Sequence, residues 1–164
     1  MERTYIAELE KHVGEEVNIK GWIHVRRDQG KMVFFDFRDM SGLVQGVVLP
    51  GSEAIETAKN TREEFVVSVR GKVNERPERN RQADKQNGNI ELEVLGIEIL
   101  NTSEPLPYNV HDNTLEINEE VRLKHRYLDL RNERVQKNIR NRDAIVHLVR
   151  NSLHDQKFVE VETP

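Results

Sequence analysis

The chain has 164 residues, of which 36% are hydrophobic and 33% charged, and its formal net charge is −4. The absence of cysteine excludes disulfides and Cys-ligated zinc, and no apolar run approaches the ~18 residues of a membrane-spanning helix. We therefore expect a soluble cytoplasmic protein of one or two small domains, in which any binding of nucleic acid uses a local basic patch.

The first part of the chain carries the alternating pattern of strands. After a short lead-in at residues 1–14, apolar and polar side chains alternate over residues 17–25, and Gly21 predicts a bulge or a sharp bend there. A turn signal at residues 28–31 leads to a second strand at residues 32–38. A third strand is predicted at residues 43–49.

A break at Pro50 and Gly51 precedes a short helix, predicted at residues 53–60 with Ser52 as its N-cap. A fourth strand at residues 65–73 and a fifth at 90–100 flank a polar, charged loop. Five strands with a helix between the third and the fourth is the order of an OB-fold barrel. The alternatives are an SH3-like barrel and an open meander, and the helix position and the long loop before the fifth strand favour the OB-fold.

The remainder of the chain is predicted to be helical after a linker. Residues 102–118 show little periodicity, and Asn118 is predicted to cap a helix at residues 119–130. A longer helix, at about residues 134–156, has one apolar stripe and leads into a strand at 158–161. The stripe consists of Val135, Ile139, Ile145, Val146, Val149 and Leu153. Such faces need a packing partner, so we expect one complete small domain followed by the opening of a larger one.

The outer face of the second and third strands is the candidate binding surface. Val33, Phe35 and Phe37 share the face that fills the barrel, which leaves Phe34 on the opposite face. OB-folds bind oligonucleotides on this face, where bases stack on exposed aromatic side chains. Gln45 carries a donor and an acceptor that can read a base edge. There are alternatives in which neither residue binds nucleic acid: the N-terminal segment covers Phe34, and Gln45 is only solvated.

Basic side chains supply further candidates. Arg27 closes the first strand, and a guanidinium pairs bidentately with guanine or phosphate. A second basic group lies in and around the loop before the fifth strand, where a salt-bridged loop is an equally good interpretation. Its members are Arg70, Lys72, Arg76, Arg79, Arg81 and Lys85. Glu91 on the fifth strand could accept from a cytosine amino group, although an exposed strand glutamate is usually only solubilising.

The sequence offers no catalytic centre. The six histidines are scattered without metal-ligand spacing, and the glycine-rich phosphate motifs and the GxSxG motif are absent. By itself the chain shows a binding surface.

Several segments resemble class IIb aminoacyl-tRNA synthetases. The segments GW at 21–22, RRDQG at 26–30, FFDFRD at 34–39 and GLVQ at 42–45 resemble their anticodon-binding OB domain. The segment RLKHRYLDLR at 122–131 resembles their hinge, and the helix ending in FVEVETP at 158–164 resembles class II motif 1. Residues 88–101 followed by SEPLPY are most similar to the bacterial-type aspartyl branch. The resemblance implies an OB domain at 1–103, a hinge at 104–132 and an incomplete catalytic domain at 133–164.

The resemblance also implies roles for individual residues. Phe34 would stack on an anticodon base, Arg27, Gln45 and Glu91 would read bases, and Arg76 would support the RNA backbone. Motif 1 would contribute a homodimer interface through Phe158, Val159, Val161 and Pro164. The chain departs from the family pattern at Val25, where an arginine is frequent, at Val47, where an aromatic is common, and at Lys157, where glycine is usual.

The activity that the resemblance implies is the ATP- and Mg²⁺-dependent attachment of aspartate to tRNA. The motifs 2 and 3 that bind ATP do not occur within these 164 residues. We therefore expect the 164-residue chain to be inactive alone and to bind neither ATP nor Mg²⁺. The alternatives are an asparaginyl or lysyl enzyme, or one that charges both aspartate and asparagine tRNAs. A free-standing OB-fold module that binds nucleic acid is disfavoured by residues 119–164.

Overall fold

The computed structural model describes residues 2–110 and 114–163, except for the side chain of Thr114. The chain divides into two compact units, Met1–Glu104 and Pro105–Pro164. Within the described residues, no helix combines the length and the apolar character that crossing a bilayer requires.

The first unit is a closed five-stranded barrel, which confirms the predicted OB-fold. Its strands are ordered β1-β2-β3-β5-β4, and neighbours are antiparallel except for the parallel pair β3 and β5. Helix α1 lies between β3 and β4 in the chain, as predicted. The elements are β1 (Glu16–Gln29), β2 (Met32–Arg38), β3 (Leu43–Val48), α1 (Ile55–Asn60), β4 (Val66–Glu75) and β5 (Ile90–Asn101).

The barrel interior follows from the alternation in the strands. In β2, every second side chain is buried, and Val33, Phe35 and Phe37 point inward as predicted. The rings of Phe35 and Phe37 stack with their centroids 5.1 Å apart. Burying these large apolar side chains is the main stabilising contribution to the barrel.

The N-terminal segment packs against the barrel core instead of serving as a simple lead-in. A 3-10 helix, Ile6–His12, buries Ile6 and Leu9 in the core. The buried Asp39 carboxylate after β2 accepts a hydrogen bond from the Ile6 backbone N–H at 3.0 Å. The spacing of Ile6 and Leu9, three residues apart, was a signal for this helix.

The bulge predicted at Gly21 and the N-cap predicted at Ser52 were wrong. The register shift in β1 lies between Ile23 and Val25, not at Gly21. Glycine is needed at position 21 because a Cβ there would lie 2.1 Å from the Arg38 carbonyl oxygen. Ser52 is not the N-cap of α1, which begins at Ile55 after Ala54. The Ser52 hydroxyl accepts from the Ala54 N–H and donates to the Val94 carbonyl, so it orders the turn before the helix.

The second unit begins with short helical segments. They are a 3-10 helix at Thr114–Glu116, α2 (Glu119–Lys124) and α3 (Arg126–Asp129). Asn118 caps α2 as predicted, since its side chain accepts from the Glu120 N–H at 2.8 Å. The single helix predicted at 119–130 is interrupted at His125, whose backbone leaves the helical region.

A buried carboxylate holds these short helices together. Asp129 is fully buried, and it forms ion pairs with Arg126 and, at 3.7 Å, with Arg122. Burial and then the Asp129 charge raise the pKa of the nearby Tyr108 phenol.

A long helix, α4 (Glu133–Asp155), follows, with Asn132 as a cap that accepts from the Arg134 N–H. Its predicted apolar stripe is present, but Val135 is buried and the other members are exposed to at least a third of their surface. The helix ends in a Schellman motif: Phe158 N–H donates to Leu153 O, and Lys157 N–H donates to His154 O. Lys157 adopts φ +68° there, in the left-handed region that favours glycine.

The predicted strand at residues 158–161 does not form. These residues are not part of any β-ladder in the described chain, because no neighbouring strand is placed to pair with them.

Candidate nucleic-acid interface

The outer face of the barrel is defined here by the side chains of β1, β2 and β3 that point away from the core. Cross-strand pairing places Arg27 opposite Phe34, and Phe34 opposite Val47. Asp36 lies between Val25 on β1 and Gln45 on β3. Because paired side chains leave a sheet on the same side, these residues form one continuous surface.

A groove of about 460 Å³ runs between this outer face and the loop that joins β4 to β5. Arg27 and Gln45, both predicted as binding residues, line the groove on the sheet side. The sheet side also includes His24, Val25, Asp36, Leu43 and Val44, and the loop side consists of Arg76, Gln82, Lys85, Gln86, Asn87 and Gly88. The predicted residues Arg27, Gln45 and Arg76 are therefore brought together at one site.

Arg27 is held in place by Asp36. Its Nη1 donates to Oδ2 at 3.0 Å and its Nη2 donates to Oδ1 at 2.9 Å, which is a bidentate pair on the partly exposed face. Arg26 points elsewhere, because its Nε donates to the Ala58 carbonyl at the end of α1. Of the two consecutive arginines, Arg27 thus lines the groove, whereas Arg26 bonds the end of α1.

Phe34 and Gln45 keep polar and aromatic surface available on this face. Phe34 is half-buried and lies beside the groove, between Arg27 and Val47. The Gln45 amide makes no hydrogen bond within residues 2–110 and 114–163, so its donor and acceptor are open to a ligand. Val47 is on the predicted face but is 6% exposed, and it offers little surface for stacking.

Glu91 lies on the neighbouring strand, outside the groove lining. In the parallel pairing of β3 with β5, Gly46 is opposite Leu92. Gln45 and Glu91 each precede that pair by one residue, so their side chains leave the sheet on the same side. Glu91 is half-buried and extends the polar surface beyond Gln45.

The basic loop is more structured than its composition suggests. Arg76 is 7% exposed, and its Nε donates to the Ile90 carbonyl at 2.7 Å. Arg81 pairs with Glu75 at 3.0 Å, and Arg70 pairs with Glu16 at 3.3 Å. The salt-bridged alternative therefore describes Arg70 and Arg81, whereas Arg76 and Lys85 line the groove.

Sequence reasoning missed the residue that fixes this loop. Asn87, with φ +55°, donates from Nδ2 to the carbonyls of Ile6 at 3.1 Å and Leu43 at 2.9 Å. Gln86 donates to the Ser41 carbonyl at 3.1 Å. The loop is thus attached to the N-terminal helix and to the start of β3, and these hydrogen bonds hold one wall of the groove in place. The Asn87-Gly88 dipeptide, a strong turn signal, could have indicated this position.

His24 was also missed as a groove residue. It lies at the register shift of β1, and its Nδ1 is 3.0 Å from Arg38 Nη1. Since a guanidinium has no acceptor, this ring nitrogen accepts the hydrogen bond. Arg38 in turn donates to the buried Glu64 carboxylate.

The residues predicted for a dimer interface lie in the second unit. Phe158, Val159 and Val161 are 61%, 81% and 74% exposed, and Pro164 lies outside the described residues. A hollow of about 410 Å³ between α4 and residues 158–160 is lined by Leu153 and Phe158 among others. Arg150 bonds Glu160 across it, with Nη2 donating at 2.9 Å.

The described residues contain no group of three or more His, Asp or Glu side chains placed to hold a metal ion. ATP and Mg²⁺ are implied by the resemblance for the whole protein, and we derive no chemical step through either group.

Two family models match the chain. A model of the OB-fold nucleic acid binding domain matches residues 17–100, which contain the outer face and the groove. A model of class II tRNA synthetases (D, K and N) matches residues 118–164. The chain belongs to the class II (D, K and N) tRNA synthetase family. The groove of this synthetase chain lies in its OB-fold nucleic acid binding domain.

Individual relatives agree with this assignment. The chain is 45% identical over 168 residues to an aspartate–tRNA(Asp/Asn) ligase from Natranaerobius thermophilus, covering 100% of this chain and 28% of that protein. It is 42% identical over 157 residues to an aspartate–tRNA ligase from Oceanobacillus iheyensis, covering 94% of this chain and 26% of that protein. The chain thus spans about a quarter of the length of these curated relatives.

A solved structure is similar over the whole chain. The asparaginyl-tRNA synthetase from Pyrococcus horikoshii, complexed with asparaginyl-adenylate, superimposes with a TM-score of 0.78 at 26% identity. The superposition covers 100% of this chain and 37% of that one.

Proposed function

We propose that the groove binds the anticodon loop of an aspartate tRNA, as part of a protein that attaches aspartate to that tRNA. The observation that supports this most strongly is the placement of Arg27 and Gln45 in one groove on the outer face of an OB-fold. The relatives named as aspartate–tRNA ligases support the amino acid. In this proposal residues 1–103 read the anticodon, residues 104–132 form a hinge and residues 133–164 begin the catalytic domain.

The side chains divide the work of recognition. Phe34 stacks on an unstacked anticodon base, which contributes about 1–3 kcal/mol in single-strand binding. Arg27, Gln45 and Glu91 read base edges. Arg27 offers a pair of donors, the Gln45 amide offers a donor and an acceptor, and Glu91 offers an acceptor. Arg76, which lines the groove, supports the RNA backbone. Phosphate contacts are then left to exposed cations such as Lys85 on the loop.

A second candidate is an enzyme that also charges asparagine tRNA. One of the two relatives above carries the name aspartate–tRNA(Asp/Asn) ligase, which favours this possibility as much as strict aspartate specificity. The two anticodons, GUC and GUU, differ in the last base alone. Equal affinity of the chain for the two stem-loops would favour the relaxed enzyme, and a preference for GUC would favour the strict one.

Catalysis and assembly belong to the same proposal. ATP and Mg²⁺ would serve the ligase reaction, and residues 1–164 by themselves should show no ATP–pyrophosphate exchange with aspartate. The exposed apolar side chains of α4 and of residues 158–161 support a homodimer through motif 1. A chain without cysteine supports a reducing, cytoplasmic location.

The proposal is tested by binding the chain to RNA stem-loops whose anticodon is GUC or a permutation of it. Arg27→Ala should reduce the preference for GUC by about 1–3 kcal/mol, since a bidentate base contact is lost. Arg70→Ala is the matched control, because Arg70 is a similarly exposed, ion-paired arginine outside the groove. If wild-type protein binds all stem-loops equally, anticodon reading by this groove is wrong.

A further inference from the structure

The Arg27–Asp36 pair has a geometry that bears on how the groove recognises RNA. Both Asp36 oxygens accept from the terminal nitrogens of Arg27, at 3.0 and 2.9 Å. A guanidinium has five N–H donors, and this end-on pairing uses one on each terminal nitrogen. The edge formed by Nε and Nη2 therefore retains two parallel donors, the arrangement that fits two acceptors on one base edge.

The hydrogen bonds of the Asp36 carboxylate all come from Arg27 among the described residues. Val25 lies opposite Asp36 on β1 and has no donor, and Gln45 lies opposite it on β3. Within residues 2–110 and 114–163, the Asp36 carboxylate accepts from Arg27 alone. An arginine at position 25 would compete for the same carboxylate. The valine thus leaves Arg27 with one fixed partner and one orientation.

The pair also changes the charge that a ligand meets. Arg27 and Asp36 together are neutral, so this part of the groove attracts a phosphate weakly. A neutral pair with directed donors suits an uncharged base edge. We propose that Asp36 is a positioning residue that turns Arg27 from a phosphate contact into a base reader, and this inference rests on the proposed anticodon function.

If Asp36 positions Arg27, its removal should change both the preference for GUC and the salt dependence of binding. Without the Asp36 carboxylate, the Arg27 side chain gains rotamer freedom and positive potential, and it then binds any nearby phosphate. Asp36→Asn should therefore lower the preference for a GUC stem-loop over its permutations by about fivefold or more, the equivalent of one bidentate base contact. It should also steepen the salt dependence of binding, because one more phosphate is neutralised.

The experiment measures affinities of the 164-residue chain for GUC and permuted stem-loops at several salt concentrations. The variants are Asp36→Asn, Arg27→Ala and the double substitution, with Glu16→Gln as the control that removes the carboxylate partner of Arg70. Circular dichroism checks that each variant folds. If Asp36 acts through Arg27, the double variant should discriminate no worse than Arg27→Ala.

The outcomes separate the inference from the function on which it rests. A wild-type chain without preference among stem-loops overturns the proposed function itself. If the wild type discriminates and Asp36→Asn discriminates equally well, or if the losses of Asp36→Asn and Arg27→Ala add, the positioning role is overturned while anticodon reading stands. A loss of discrimination in Asp36→Asn that vanishes on the Arg27→Ala background supports it.

Discussion

The two units of this chain use similar apolar residues with opposite results. In the barrel, Phe35 and Leu92 are fully buried by residues of the same unit. In the second unit, Ile145 on the apolar stripe and Phe158 are 63% and 61% exposed. An amphipathic pattern therefore predicts which face of an element is apolar, but it does not say whether the same chain covers that face. The barrel holds its own core, whereas α4 presents an apolar surface.

The largest expected effect tests the barrel side of this comparison. Phe35→Ala should lower the free energy of unfolding by about 3–5 kcal/mol, because it removes a fully buried ring that stacks on Phe37. Chemical denaturation followed by circular dichroism measures the change.

Ile145→Ala is the counterpart on the apolar stripe of α4, and its cost should stay within about 0.5 kcal/mol because the side chain is exposed. Comparable losses for the two variants in dilute protein would break the contrast between the two units.

A smaller effect is expected at the outer face of the barrel. Phe34→Ala should weaken binding of the GUC stem-loop by about 1–3 kcal/mol, because a stacking surface is lost. Fluorescence anisotropy with labelled RNA gives the affinity. Phe34→Tyr keeps the ring and should bind like the wild type. A folded Phe34→Ala protein of unchanged affinity would remove the stacking role.

A local effect is expected at the end of α4. Lys157→Gly should stabilise the helix terminus by about 1 kcal/mol, since a non-glycine residue at φ +68° is strained. Hydrogen exchange of the Phe158 amide, which bonds Leu153 O, reports the local change. Lys157→Ala is the control and should give no such protection. Equal protection in both variants would show that backbone strain at 157 is not the cause.

Much of the fold was predictable because the barrel strands alternate cleanly. The bounds of β2 were predicted correctly, and Val33, Phe35 and Phe37 point inward as expected. The N-terminal helix was missed because two apolar residues, Ile6 and Leu9, gave a weak signal in a polar segment. The strand at 158–161 was predicted from its composition, yet a strand also needs a hydrogen-bonding neighbour, which a pattern within one segment does not provide.

The sequence predicted which face of the sheet carries the site, but it did not predict the hydrogen bonds between the site residues. Alternation placed Phe34 and Gln45 on the outer face, whereas Arg27 was a candidate from its residue type and from the resemblance. The bidentate bond from Arg27 to Asp36 depends on the register between β1 and β2, which a bulge shifts by one residue. The burial of Arg76 depends on how its loop folds back, whereas composition alone indicated only a polar, charged loop.

The most direct test of anticodon reading is a titration of isotope-labelled chain with the GUC stem-loop, followed by NMR. We expect the largest shift changes at the Arg27 Nε–H, the Gln45 side-chain amide and the backbone of residues 82–88, which surround the groove. The side chains of Glu16 and Arg70, outside the groove, should change little. Saturable changes centred on Glu16 and Arg70 or on α4, with the groove unperturbed, would contradict recognition of the anticodon by this face.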